Sequence, residues 1–317
     1  MLGYNEYQNT TPLPRRRAYF IFGDDDEEQD KFLLEGLNVK FDVLYNTGGM
    51  FAQANFGICN LNAEHLKYLT NFFAFGNPRR RNCTIKFFAG YDDEKQPKKL
   101  KDIPLLYKGV VMLTSITPPP DIWLNFEALA CGNIHMAKAK VSFSGEKTVY
   151  DIAKAAAQYY GLELEWRANN SGGKKIKDFS FDGTGYGFAS KLHDLDGDLQ
   201  FGADSLRLRV TDTRPDPANS ALPRWKVDRD HAMIGVPRFS YYGATVDTLL
   251  NPLIRAGDFV ELRSKYQPAG DGEYFIRTVR HHGELRGDDF NTTLDLMRPD
   301  DPERDTEPLE IGARDNE

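Results

Sequence analysis

The sequence predicts an α+β fold that is mainly β. Three observations carry this reading. Residues 18 to 130 hold short segments that alternate apolar and polar side chains and are closed by Gly or Pro. Beyond Gly132 the apolar period lengthens to that of a helix, and from Met233 to Met297 the strand period returns. Side chains alternate across a strand but recur every 3.6 residues on a helix, so the period separates the two.

The first strand is AYFIF, Ala18 to Phe22. It runs into the acidic stretch GDDDEEQD, Gly23 to Asp30, which suits a solvated hairpin tip. Adjacent carboxylates are ligands for hard cations, but consecutive residues seldom converge on one ion. Leu37 to Val43 alternates cleanly, and Asn55 to Leu61 is a further strand. Asn62 is placed to cap a helix from Ala63 to Phe73, with Leu66, Leu69, Phe72 and Phe73 on one side. Thr84 to Tyr91, Tyr107 to Ile116 and Ile122 to Ala128 follow as strands, with Pro118, Pro119 and Pro120 ending the middle one. Strands so closely punctuated, with one short helix, make a small β-barrel or sandwich.

The middle begins with a helix started by Thr148 or Ser144. Its apolar positions are Val149, Ile152, Ala153, Ala156, Ala157 and Tyr160, and Gly161 stands where a C-cap glycine belongs. A strand at Leu162 to Trp166 comes next, then a polar loop at Ala168 to Lys175 and a short strand at Phe179 to Phe181. A short helix at Gly187 to Leu195 leads into a hairpin spanning Leu199 to Val210. The polar loop Thr211 to Ala221 separates this part from the last β-rich unit.

Composition bounds the function. The chain has 317 residues, 40% hydrophobic and 27% charged, which is enough for two or three packing units. Mean hydropathy is −0.54, and no apolar run approaches the roughly 20 residues of a membrane helix. The polar N-terminus lacks the apolar core of a secretory signal, so the chain is expected in the cytoplasm until assembly. A net charge of −7 argues against general nucleic-acid binding. Cys59, Cys83 and Cys131 form no CxxC pair and read as small buried hydrophobes.

Several motifs invite chemistry and then fail it. Asp194-Leu195-Asp196-Gly197-Asp198 starts like a calcium loop, but Leu199 takes the place of the sharp-turn glycine and Ser205 that of the bidentate glutamate. Gly183-Thr184-Gly185-Tyr186-Gly187 is not GxGxxG, because Phe188 stands at the last glycine. His281 and His282, near Glu284, Asp288 and Asp289, are neighbours on a strand and so point to opposite faces. No GxSxG, HExxH or Cys–His signature is present. The expectation is no catalytic residue, no cofactor and no metal.

The most specific part of the chain is Met233 onward. Ile234-Gly235, Pro237, Gly243, Val246, Leu249-Leu250-Asn251-Pro252, Ile254, Gly257-Asp258, Val260, Leu262 and Ser264, followed by Tyr274, His282-Gly283 and Thr292, resemble the closing domain of baseplate hub proteins of contractile-tailed phages, Mu-like phages included. Ala256 departs from the usual proline, and Glu284 and Phe290 from an Asp and a Trp. Thr148 to Ala153 with Gly161-Leu162, and the stretch from Ser190 to Leu208, are also similar to hub sequences. So, more weakly, are Gly36 to Val43, Ile58 to Leu61, Phe88 to Tyr91 and Tyr107 to Val111. The resemblance spans about residues 35 to 297.

The resemblance implies two small β-barrel-like domains around an α+β middle region. The expected layout is a polar arm at 1–17, a first barrel-like domain at 18–130, a middle domain at 131–220, a second barrel-like domain at 221–299 and an acidic tail at 300–317. It implies a homotrimeric ring, assembled in the host cytoplasm and carried in the virion. The ring would join the hexameric tail tube, or its initiator proteins, to the trimeric central spike and to other baseplate proteins. DNA would pass its lumen without specific binding, with the acidic stretch Asp24 to Asp30 and the tail as expected lumen-facing charge. Two other readings compete: a tail-borne peptidoglycan hydrolase and a glycan-binding adhesin, the latter on β content and 12% aromatic residues.

Overall fold

In a computed structural model of the chain, the described residues are 15–24, 29–48, 51–71, 83–92, 99–135, 137–169, 173–204, 206–213, 215–216 and 222–298. The arm before Arg15, the acidic residues 25–28, Phe72, Phe73 and the tail from Pro299 lie outside them.

The N-terminal part comprises β1 (Arg15–Asp24), β2 (Gln29–Glu35), β3 (Val39–Asn46), β4 (Gln53–Cys59), α1 (Ala63–Asn71), β5 (Cys83–Asp92), β6 (Leu105–Ile116) and β7 (Trp123–Leu129). The middle holds α2 (Gly132–His135), β8 (Lys138–Ser142), β9 (Glu146–Thr148), α3 (Val149–Tyr160), β10 (Glu163–Trp166), β11 (Lys175–Lys177), β12 (Ser180–Thr184), α4 (Gly185–His193), β13 (Leu199–Ala203) and β14 (Arg207–Asp212). The C-terminal part has β15 (Arg224–Val227), β16 (Met233–Ser240), β17 (Gly243–Leu249), β18 (Phe259–Leu262), β19 (Gly272–Glu284) and β20 (Phe290–Met297). The fold is mainly β, as the sequence predicts.

The N- and C-terminal strands share one sheet, in the order β16-β17-β20-β19-β3-β4-β7-β6-β5-β1-β2, with β18 also on β19 and β15 parallel to β18. The joint is β19. Its first residues pair with β18, from Leu262↔Gly272 to Phe259↔Phe275, and its last seven pair with β3, from Thr278↔Asn46 to Glu284↔Lys40. β20 follows its other edge. One edge of β19 therefore serves both the C-terminal and the N-terminal strands.

The alternation read from the sequence is what the sheet buries. Val39, Phe41, Val43 and Tyr45 face inward while Lys40, Leu44 and Asn46 are exposed. Rings connect the two cores: Phe56 lies 4.9 Å from Phe87, Phe87 lies 5.1 Å from Phe41, and Phe41 meets Phe290 edge-on at 5.4 Å. Phe290, the departure from the hub tryptophan, is fully buried at this junction.

The middle packs around its own apolar cluster. All six apolar positions read on α3 are buried. Thr148 Oγ1 accepts from Asp151 N at 3.2 Å and the Asp151 carboxylate accepts from Thr148 N at 3.1 Å, a reciprocal capping box. Gly161 ends the helix at φ +66°. β10 and β14 run parallel, and β13 pairs antiparallel with β14. In α1, Asn62 caps as expected, with His65 N donating to Asn62 Oδ1 at 2.8 Å. Among the described residues no helix is long and apolar enough to cross a membrane.

Five strands were not read from sequence: β2, β8, β9, β11 and β15. Four of them are three to five residues long without clear alternation, and β2 begins at Gln29, inside the stretch read as an acidic tip.

Candidate functional site

The residues that invited chemistry are dispersed. Cys59 and Cys83 are buried in different strands, and Cys131 follows β7. Burial, with Asp204 nearby, pushes the Cys131 thiol up to about 12, which disfavours its thiolate. Among the described residues no group of three His, Cys, Asp or Glu converges on a possible metal position. Asp194 is the C-cap of α4, and Asp196 Oδ1 accepts from Asp198 N at 3.1 Å, so this stretch is a helix-to-strand turn. Gly185 opens α4 because a Cβ there would lie 2.3 Å from the Ile134 carbonyl oxygen.

His281 and His282 point to opposite faces. His281 is fully buried with Nδ1 2.9 Å from Thr292 Oγ1, whereas His282 Nε2 lies 3.0 Å from Thr293 Oγ1. Burial, with Arg255 and His282 adding to it, drives the His281 imidazole down to about 3. It is a neutral core histidine. Glu284 accepts from Asn38 Nδ2 at 2.7 Å, and Asp288 offers its backbone carbonyl to Arg16 at 2.8 Å.

The sequence reading missed a buried ionic cluster where the middle meets the C-terminal strands. Asp258 is 1% exposed. Its carboxylate accepts from Arg167 Nη1 at 2.5 Å, Trp225 Nε1 at 2.9 Å and Arg255 N at 3.1 Å. Arg167 also holds Glu165 at 2.5 Å, and Arg209 reaches Glu165 at 3.0 Å and the Ala256 carbonyl at 2.8 Å. Burial pushes the Glu165 carboxyl up, but Arg209 and Arg167 outweigh it and hold it below its ordinary value. The middle is tied to the N-terminal strands as well. Ala52 N donates to the Ala203 carbonyl at 3.0 Å, and the Phe51 ring meets Tyr160 and His135, each at 5.2 Å.

Two exposed features stand out among the described residues of the sheet. The face of the sheet turned away from the core carries polar cross-strand pairs from β16 to β3. Arg238 lies 3.5 Å from Asp247, Thr293 donates to Asp247 at 2.6 Å, Arg277 holds Asp295 at 2.5 Å, and Arg280 holds Asp42 at 2.5 Å. It continues over β4, β7 and β6 as an open trough of about 290 Å³ whose polar walls include Asn55, Asn125 and Glu127. The second feature is the β16–β17 turn, where Tyr241 and Tyr242 are 75% and 60% exposed with their rings 5.3 Å apart. Exposed aromatic pairs of this kind are typical anchors of protein interfaces.

This fold is that of phage tail proteins. The 43 kDa tail protein of prophage MuSo2 from Shewanella oneidensis superposes with a TM-score of 0.58 at 11% identity, over 89% of this chain and 98% of that one. The tail protein from Neisseria meningitidis MC58 gives 0.54 at 11% identity, over 90% and 97%. The E. coli c3393 protein, a type VI secretion component with structural similarity to T4 tail proteins gp27 and gp5, gives 0.53 at 9% identity, over 87% and 76%. The chain belongs to the baseplate hub gp41 family, whose profile matches residues 19–296. Its role is therefore structural, in the phage tail baseplate. A search of curated proteins finds no match.

Proposed function

We propose that the chain is the non-enzymatic hub of a contractile tail, closing as a homotrimeric ring between the hexameric tube and the trimeric spike. The observation that carries this reading is the β19 joint. It joins the N- and C-terminal strands in one continuous sheet; taken as two barrel-like units per chain, three chains would present six such units to a sixfold tube. The division into a first barrel-like domain, a middle domain and a second barrel-like domain belongs to the same proposal. The polar face of that sheet supports a position along the bore. Arg238, Arg277 and Arg280 on it are paired with Asp247, Asp295 and Asp42, so DNA phosphates would meet hydrated, neutralised cations there. Of the acidic stretch Asp24 to Asp30 expected to line the lumen, Asp24 ends β1 and Gln29 and Asp30 open β2, whereas residues 25–28 and the tail at 300–317 lie outside the described residues.

Light scattering on the purified chain, alone and with tube and spike proteins, tests the ring. The expected mass is three times 36.0 kDa. A chain that stays monomeric with both partners present overturns the proposal. A zymogram on peptidoglycan is expected to show no clearing, and clearing would move the function to a tail-borne hydrolase.

A further inference from the structure

The start of β1, the turn between β2 and β3, and the turn between β19 and β20 enclose a groove of about 680 Å³. Four arginines line it, Arg15, Arg16, Arg17 and Arg286, against one glutamate, Glu35. Among the described residues, only Arg17 of the four is neutralised by a neighbouring carboxylate, that of the buried Asp92 at 2.9 Å. Arg16 spends its donors on neutral groups: Nη1 on the Gly287 carbonyl at 2.6 Å and Nη2 on the Asp288 carbonyl at 2.8 Å. Its guanidinium also lies 5.3 Å from the Phe290 ring centre. Arg286 Nη2 donates to the Gly36 carbonyl at 3.0 Å. Hydrogen bonds to carbonyls fix these side chains without cancelling their charge. The result is a preset cationic groove on a chain whose net charge is −7.

We propose that this groove is the docking site of the chain's own acidic C-terminal segment, residues 299–317. That segment carries eight carboxylates against two arginines. It departs from Arg298, next to the end of β20 at Met297, whereas the groove lies by the other end of that strand, at Phe290. The seven steps of β20 span ~24 Å. Nineteen residues extend to ~60 Å, so the segment reaches the groove with length to spare. Arginine forks suit carboxylates in pairs. Single exposed ion pairs contribute little, so docking needs several at once and weakens with salt.

Zero-length carbodiimide cross-linking of the full chain tests the assignment, with Arg15→Lys and Arg286→Lys supplying amines at the groove rim. Arg16, which holds the β19–β20 turn, is left intact. The pair Lys40–Glu284, 3.7 Å apart, is the internal positive control. The expected result at low salt is cross-links from the introduced lysines to carboxylates between Asp300 and Glu317, reduced at least fivefold in ~0.5 M salt while the control persists. A parallel measurement needs no cross-linker: Arg15→Glu with Arg286→Glu should speed tryptic cleavage after Arg304 several-fold over the native chain at low salt. Cross-links confined to Glu35 or Asp288 with the control formed, or a cleavage rate unchanged by the charge reversal, would overturn the proposal.

Discussion

Arg167, directly after β10, and Asp258, directly before β18, are 91 residues apart in sequence and meet at 2.5 Å, with their side chains 14% and 2% exposed. The pair ties the middle of the chain to the C-terminal strands through a desolvated charge. Removing Asp258 leaves Arg167 with Glu165 alone and takes the acceptor from Trp225 Nε1 and Arg255 N, which costs about 3–5 kcal/mol. Asp258→Ala is therefore expected to lower the urea-unfolding free energy by about that amount. The Trp225 indole, which donates to the same carboxylate, should report the loss as a change in emission.

His281 makes stability depend on pH. Its imidazole titrates near 3 when folded and near 6.5 when unfolded. Below 6.5 the unfolded chain takes up a proton that the folded chain refuses, so stability rises with pH across this window. The contribution is fully present above pH 6.5 and is lost as pH falls toward 3, by at most about 1.4 kcal/mol per pH unit. Unfolding of His281→Asn should show a shallower decline between pH 6.5 and 4.5 than the native chain. Parallel declines would remove His281 as the cause.

Gly202 on β13 packs against the end of β3. An added Cβ would lie 2.8 Å from the Asn46 carbonyl oxygen, backbone against backbone, so neither side can yield cheaply. Gly202→Ala is expected to cost about 1–3 kcal/mol. Hydrogen exchange should quicken first at Ala52, whose amide donates to the neighbouring Ala203 carbonyl.

Thr148→Ala removes half of the α3 capping box and is expected to lower stability by about 1 kcal/mol. Thr148→Ser keeps the hydroxyl oxygen and should restore most of it. Both are measurable as shifts of the urea midpoint at constant slope.

The helix α3 was legible, with its start left between Thr148 and Ser144, because its cap, its apolar stripe and its terminal glycine are all local signals. The strand β2 was hidden by the acidic run before it, and β15 is four residues whose strand character comes from its parallel partner β18. Asp258 entered the reading only within the hub-like pattern, since a sequence does not show that an Arg and a Trp from distant segments will meet there. The outward polar residues of β3 and β20 were predictable from alternation. Their pairing into Arg280–Asp42 and Thr293–Asp247 was not, because it depends on which strands become neighbours.

The shared edge of β19 also sets an order of events in time. β3 is made early, yet the strand that covers its free side ends at Glu284, more than two hundred residues later. Until then a nascent chain carries an open β edge, the kind of template that recruits stray strands. The long sequence separation makes this pairing a slow, late step. A chain interrupted before Gly272 cannot close that edge, so only a nearly finished polypeptide can present the joined sheet. Completion of synthesis and competence for assembly are thereby coupled in a single strand.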